Sequence, residues 1–209
     1  MSPQLSLFIL VALLVVGWFA LGTHFNVRKG ESALRWLQEA LPQIGEKTTL
    51  RWMGSSAVEM KILEARPPFR TAELVLVLEP RDVPPLWLFS RLRGRRDLLI
   101  FRAGLRARPA VEMDAFDPRS WSTSGLDAAC HQRGWARLPG EGPLVVFLAS
   151  GAEDVPRILQ AAEIPGCPLV RLSVRRGEPK LEVQWELSHL RQHPSSAVLQ
   201  SVIRIAEAL

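Results

Sequence analysis

The clearest pattern in the chain is an uninterrupted apolar run near its N-terminus. Residues 5–22 (LSLFILVALLVVGWFALG) carry no charge, and Ser6 is their most polar side chain. A helix of that length is about 27 Å long, which is close to the ~30 Å hydrocarbon core of a bilayer. The pattern predicts that residues 1–22 form one transmembrane anchor.

A cleaved signal peptide is the other interpretation of this segment. Signal peptides begin with basic residues and have a shorter apolar core, whereas residues 1–4 contain neither Lys nor Arg. In favour of cleavage, Ala20 and Gly22 are small residues spaced as at a cleavage site. We expect a retained anchor, and an exported envelope domain stays open as the alternative.

Basic residues on one side of the run predict its orientation. None precedes the run, whereas Arg28, Lys29 and Arg35 follow it closely. By the positive-inside rule, this asymmetry places the C-terminal domain in the cytoplasm. We therefore expect a single-pass protein of the cell membrane.

The rest of the chain alternates between strand and helix patterns. Residues 23–30 are interpreted as a connector, and residues 31–41 as an amphipathic helix. In the first half, residues 31–117, the predicted order is α-β-β-β-α-β-β. In the second half, residues 118–209, it is β-α-β-β-α. The expected fold class is α+β, with an antiparallel or mixed sheet and flanking helices. The loose likeness of the halves leaves a duplication open.

The second half has the sharper periodicity. Residues 169–174 and 181–187 predict a hairpin, with Val170, Leu172 and Val174 on one face. A stripe that includes Val202 and Ile203 predicts a buried C-terminal helix.

Charge and composition sharpen the picture at one place. The formal net charge is +5, and only four of the 26 basic residues are Lys. Arginines are densest just after a short apolar segment. The predicted membrane-contacting residues are Leu86, Trp87, Leu88, Phe89, Arg91, Arg93, Arg95 and Arg96. Such an element suits the membrane interface, where Trp lies at headgroup depth and Arg reaches anionic phosphates.

This apolar and basic element has two other interpretations. One is a core helix beneath the sheet followed by a solvated arginine turn. The other is nucleic-acid binding, which we do not expect because basic charge without a recognised binding motif is a weak signal. The partners expected are the lipid bilayer, its anionic headgroups and a membrane protein.

Other chemistry-bearing residues form only weak patterns. His189 and His193 have a zinc-like spacing but lack the intervening Glu of metalloproteases, and Cys130 and Cys167 are not spaced as in a zinc finger. Cys130 and His131 are adjacent, which rarely aligns a nucleophile with its base. Ser150-Gly151 follows a strand without a Walker or dinucleotide motif. No catalytic residue, metal or cofactor is therefore predicted.

The leading functional hypothesis is a non-catalytic scaffold or accessory subunit at the cytoplasmic face of the membrane. The runner-up is a membrane-tethered enzyme whose active site is assembled from scattered residues. The pool of candidates for that site is Asp114, Asp117, His131, Glu153 and His189.

Overall fold

A computed structural model shows a long apolar helix followed by a nine-stranded antiparallel sheet with flanking helices, and it describes residues 2–139 and 142–209. This confirms the α+β class. The helices are α1 Pro3–Gln38, α2 Pro84–Leu92, α3 Leu126–Gln132, α4 Val155–Ala162, α5 Leu187–Leu190 and α6 Ser195–Ala208. The strands are β1 Gly45–Trp52, β2 Ala57–Ala65, β3 Phe69–Val77, β4 Leu98–Leu105, β5 Glu112–Phe116, β6 Ala136–Leu138, β7 Val145–Ser150, β8 Leu169–Val174 and β9 Leu181–Glu186.

Helix α1 is one continuous helix of 36 residues. Its N-terminal part is apolar and exposed, and it is long and apolar enough to be a candidate membrane span. Met1 of the predicted anchor lies outside the described residues. The predicted connector 23–30 is wrong, because these residues continue the helix. The helix continues because Asn26 and Gly30 are buried against the domain, so tertiary packing holds the segment helical.

The sheet has the strand order β1-β2-β3-β4-β9-β8-β5-β7-β6, and every described pair of neighbouring strands is antiparallel. Strand β9 pairs with β4, so strands from the two predicted halves lie in one continuous sheet. Strand β5, placed in the first half from the sequence, lies between β8 and β7 of the second half.

One face of the sheet carries the main apolar core. The C-terminal turns of α1 contribute Leu34 and Leu37, while α4 and α6 contribute Ile158 and Leu199. Trp185 of β9 is fully buried in this core. On the opposite face, α3 covers a smaller aromatic cluster, Val75, Leu98, Ile100 and Val170 form a second small apolar cluster, and paired charges lie beside them.

A β-bulge corrects the predicted hairpin pattern. Leu172 and Val174 belong to the main core as expected, but Val170 packs in a separate cluster with Val75 and Ile100. The register shifts between Leu169 and Arg171, which inserts an extra residue and turns Val170 away from its expected face.

Candidate membrane-contacting site

The candidate site is built on α2, which has clear local signals at both ends. Pro84 and Pro85 occupy the first turn, where a missing backbone N–H is tolerated. The helix ends before Gly94, whose φ of 79° lies in the left-handed region that commonly terminates helices. The helix therefore contains residues 86–91 of the predicted membrane-contacting element, whereas Arg93, Arg95 and Arg96 follow its end.

The apolar side chains of α2 are exposed. Leu86, Leu88, Phe89 and Leu92 are 48%, 55%, 53% and 79% exposed. Within the fully described helix α2, Ser90 is the only buried residue. The interpretation of this segment as a core helix beneath the sheet is therefore wrong. Four large apolar groups on one short helix form an unusual surface for a domain in water, and we call it the α2 patch.

Trp87 differs from the residues of the α2 patch, because it is turned toward α1. Its indole Nε1 donates a hydrogen bond of 2.7 Å to Oε2 of the buried Glu79. Its ring lies 6.3 Å from that of Trp18, centroid to centroid. Trp87 thus connects the α2 patch to the end of the apolar run in α1.

The four predicted arginines occupy different positions around the α2 patch. Arg91 pairs with Glu79 at 3.3 Å. Arg93 lies over the Phe89 ring at 4.1 Å, and Arg95 lies over the Trp121 ring at 4.7 Å. Arg96 donates to backbone carbonyls of the turn. Among the described residues, the last three have no carboxylate partner, so their positive charge is uncompensated beside the patch.

A buried polar cluster, which we call the junction, fixes α1 to the domain next to this site. Arg81 donates two hydrogen bonds to Asp97, at 3.0 and 2.9 Å, and Lys29 pairs with the same carboxylate at 2.5 Å. Asn26 donates to the Glu79 carbonyl at 3.0 Å. Because these contacts join α1 to the segments flanking α2, they fix the position of α2 along the axis of α1.

The charge of Asp97 depends on these partners. Burial alone raises the pKa of the Asp97 carboxyl. Hydrogen bonds from Arg81, Lys29 and the Glu79 amide outweigh burial and hold that pKa below its ordinary value. Asp97 is therefore an anion in the folded protein, which keeps the junction electrically paired.

Close packing at Gly22 completes the junction. A Cβ at this position would overlap the backbone of Arg81 and Asp82, so only glycine allows the helix to approach so closely. Trp18 donates a 2.9 Å hydrogen bond from Nε1 to the Arg81 carbonyl. The end of the apolar run therefore lies directly beside the segment that precedes α2.

The junction residues are not predicted from the sequence. Two signals were present: Asn26 follows the apolar run on the same helix, and Asp97 is the one acid within an arginine-rich stretch. Neither signal identifies its partner, because Asn26 and Glu79 are 53 residues apart.

A second ionic cluster lies on the charged face of the sheet. The fully buried Asp114 accepts hydrogen bonds from Arg171 at 2.8 and 2.9 Å and from Arg175 at 2.7 Å. Glu182 accepts from Arg102 at 2.8 Å and from Arg171 at 3.1 Å. Burial raises the pKa of Glu182, but these arginines and Gln184 hold it below its ordinary value. Both acids are saturated with donors, which suits a structural role.

The Cys130–His131 pair does not form a catalytic arrangement. Cys130 is buried in the aromatic cluster under α3, and burial together with the Asp114 charge raises the pKa of its thiol. The His131 ring lies 2.9 Å from the Asp127 carbonyl and packs edge-on against Phe147. A protonated, buried thiol is a poor nucleophile.

The remaining candidates also have ordinary contacts. His189 lies on α5 and is 3.5 Å from Glu186, whereas the carbonyl of His193 accepts from Trp36. In the described part of the chain, no group of three or more His, Cys, Asp or Glu residues has a geometry suited to a metal ion. Ser150 accepts a hydrogen bond from Arg176.

The last two members of the enzyme pool lie near loops. Asp117 pairs with Arg119 at 3.0 Å. Burial raises the pKa of Asp117, but hydrogen bonds from Arg119 outweigh it and lower the pKa. Glu153 lies in the turn before α4.

Comparison with known proteins adds no family. No protein-family model matches the chain, and a search of curated proteins gives no match.

Proposed function

We propose that this is a single-pass membrane protein whose α+β domain lies against the cytoplasmic leaflet as a non-catalytic scaffold or accessory subunit. The observation that carries this proposal is the exposed α2 patch beside the end of the candidate membrane span. In this arrangement the patch contacts the bilayer, and the candidate span anchors the chain.

The position of α2 along α1 supports membrane contact. Trp18, Trp87 and Arg81 bring the start of α2 level with the last turns of the apolar run. When residues 5–22 span the hydrocarbon core, that level is the boundary between the hydrocarbon and the headgroups, where aromatic rings are favoured. Leu86, Phe89 and their neighbours then enter the outer hydrocarbon layer instead of water.

The distribution of charge supports the orientation. Arg28 is exposed just beyond the apolar run, and Arg93 and Arg96 are exposed beside the α2 patch. Each basic residue near an anionic leaflet contributes about 1 kcal/mol of attraction. The same residues follow the span, as the positive-inside rule requires of a cytoplasmic segment.

The non-catalytic part of the proposal is supported by the state of the reactive groups. Asp114 and Glu182 are paired with arginines, and burial raises the pKa of the Cys167 thiol to about 11. These two acids are thus engaged in structural contacts, and the Cys167 thiol is held protonated.

Site-directed spin labelling of the full-length chain in lipid nanodiscs tests the membrane contact. A nitroxide at Phe89→Cys is expected to be accessible to oxygen and protected from a water-soluble nickel complex. Leu63→Cys is the matched control, since Leu63 is 62% exposed near the end of β2 that pairs with the start of β3, whereas α2 follows the end of β3. It is expected to show the reverse. Equal nickel access at both sites would refute membrane contact.

The same control variant tests orientation. In intact cells, a membrane-impermeant thiol reagent is expected not to label Leu63→Cys until the membrane is opened. Labelling in intact cells, or recovery of a shortened soluble protein, would instead support an exported domain.

A further inference from the structure

A groove between α1 and the start of α2 has the shape of a ligand site. Its volume is about 530 Å³, within the range of small-molecule sites. Apolar side chains form most of its lining: Trp18, Leu21 and Phe25 from α1, and Trp87 from α2. The groove is open and not an enclosed cavity, so a ligand can enter it.

The walls of this groove are fixed by contacts already described. Arg81 is held by Asp97 through two hydrogen bonds and lies 5.4 Å from the centre of the Phe25 ring. Trp87 is held by Glu79, and Trp18 is held by the Arg81 carbonyl. A groove with fixed walls binds a ligand with less loss of conformational entropy than a flexible one.

The two ends of the groove differ in chemistry. Trp18 and Leu21 lie at the end within the apolar run, and His24 and Arg28 line the other end. Trp18 and Arg28 are ten residues apart on one helix, which is about 15 Å along its axis. Among the described residues, Arg28 has no carboxylate partner, whereas the neighbouring Lys29 is paired with Asp97.

We infer that this groove binds one anionic phospholipid, with an acyl chain between Trp18, Phe25 and Trp87 and the phosphate at Arg28. The order of groups along the groove matches the order in a lipid, since the apolar end continues into the candidate span. A guanidinium suits phosphate because its planar donors bind two oxygens at once. The inference rests on the proposed membrane contact and specifies a lipid class for it.

Native mass spectrometry of the full-length protein tests this inference. The protein is reconstituted in vesicles of equal phosphatidylcholine and phosphatidylglycerol and then extracted in a mild non-ionic detergent. The wild type is expected to retain one phosphatidylglycerol molecule. Arg28→Gln is expected to retain about tenfold less, as loss of a charge-assisted contact implies.

Arg35→Gln is the matched control, because Arg35 is an exposed arginine two turns further along α1. It removes the same charge outside the groove and is expected to retain lipid as the wild type does. If Arg28→Gln and Arg35→Gln retain the same amount of phosphatidylglycerol, the inference is overturned. The nitroxide result at Phe89 would still report separately on membrane contact. Equal thermal unfolding midpoints of the two variants show that neither has lost its fold.

Competition experiments identify the source of the phosphate. Inorganic phosphate and glycerol phosphate, added at the concentration of the lipid, are expected to leave the retained phosphatidylglycerol in place because they lack the acyl chain. Displacement by either would show that the groove does not hold the chain. Equal retention of phosphatidylcholine would show that Arg28 does not select an anionic headgroup.

Discussion

Helices α2 and α6 are both apolar helices, but their surroundings are opposite. In α6, Leu199, Val202 and Ile205 are fully buried against α4 and the sheet. In α2, Leu86, Phe89 and Leu92 are roughly half to four-fifths exposed. The difference shows that an apolar helix face must be shielded from water, but the sequence pattern does not show whether protein or lipid shields it. For α6 the cover is the domain itself, and for α2 we propose that it is the bilayer.

A pair of identical substitutions tests this comparison most strongly. Leu199→Ala is expected to lower the free energy of unfolding by about 2–5 kcal/mol, because it opens a cavity in the core. Leu92→Ala is expected to cost less, under about 1 kcal/mol, because no protein core surrounds Leu92 and its truncation opens no cavity. Chemical denaturation of the full-length protein in detergent micelles measures both. Similar losses in the two variants would mean that α2 is packed like α6.

Asp97→Asn tests whether the junction holds α1, and with it α2, in place. Removing this buried charge is expected to cost about 2–3 kcal/mol, since Arg81 and Lys29 lose a charged hydrogen-bond partner. Limited proteolysis near residue 30 is expected to increase. Asp117→Asn, at a more exposed ion pair, is the control and is expected to cost under about 1 kcal/mol.

The lowered pKa of Asp97 predicts that the effect of Asp97→Asn on stability depends on pH. The pKa of Asp97 is lowered in the folded state. The ionised carboxylate therefore contributes fully to the free energy of unfolding above about pH 4, the ordinary pKa of Asp. The contribution is lost as the pH falls through the lowered folded pKa. The difference in stability between wild type and Asp97→Asn should therefore shrink with acidification below about pH 4. A constant difference down to pH 2 would contradict the ion-pair role.

Substitution of two patch residues tests what covers α2. In nanodiscs, Phe89→Ser combined with Leu92→Ser is expected to raise hydrogen exchange of the α2 amides about tenfold. The reason is that apolar contact contributes roughly 25 cal/mol per Å² of buried area. Leu63→Ser is the control and should leave α2 exchange unchanged. If the double variant exchanges like the wild type, lipid does not cover the patch.

The smallest expected effect is that of charge. Arg93→Gln should weaken protection of α2 by about 1 kcal/mol in anionic nanodiscs and little in neutral ones. The effect should fade in 1 M salt, where the Debye length falls to about 3 Å. The same loss in neutral nanodiscs would assign the role of Arg93 to packing on Phe89, not to lipid charge.

The sequence by itself determined the elements and the class of the fold. The run 5–22, the alternation in β2 and the stripe in α6 each have a period that one local structure satisfies. The start of α2 was also predictable, since prolines occupy its first turn. Even so, Val202 is buried as expected while Ile203 is only partly buried, and the three-residue strand β6 was not predicted. Strands as short as β6 have too few residues to show a period.

Only the tertiary structure decided how the elements meet. The pairing of β4 with β9, the bulge at Val170 and the junction between Asn26, Arg81 and Asp97 depend on contacts across long stretches of chain. Local periodicity records which residues avoid water, but it carries no information about which distant group each one contacts. For the same reason the sequence left α2 open between core and surface, whereas the packing of Trp87 on α1 placed its apolar residues outward beside the candidate span.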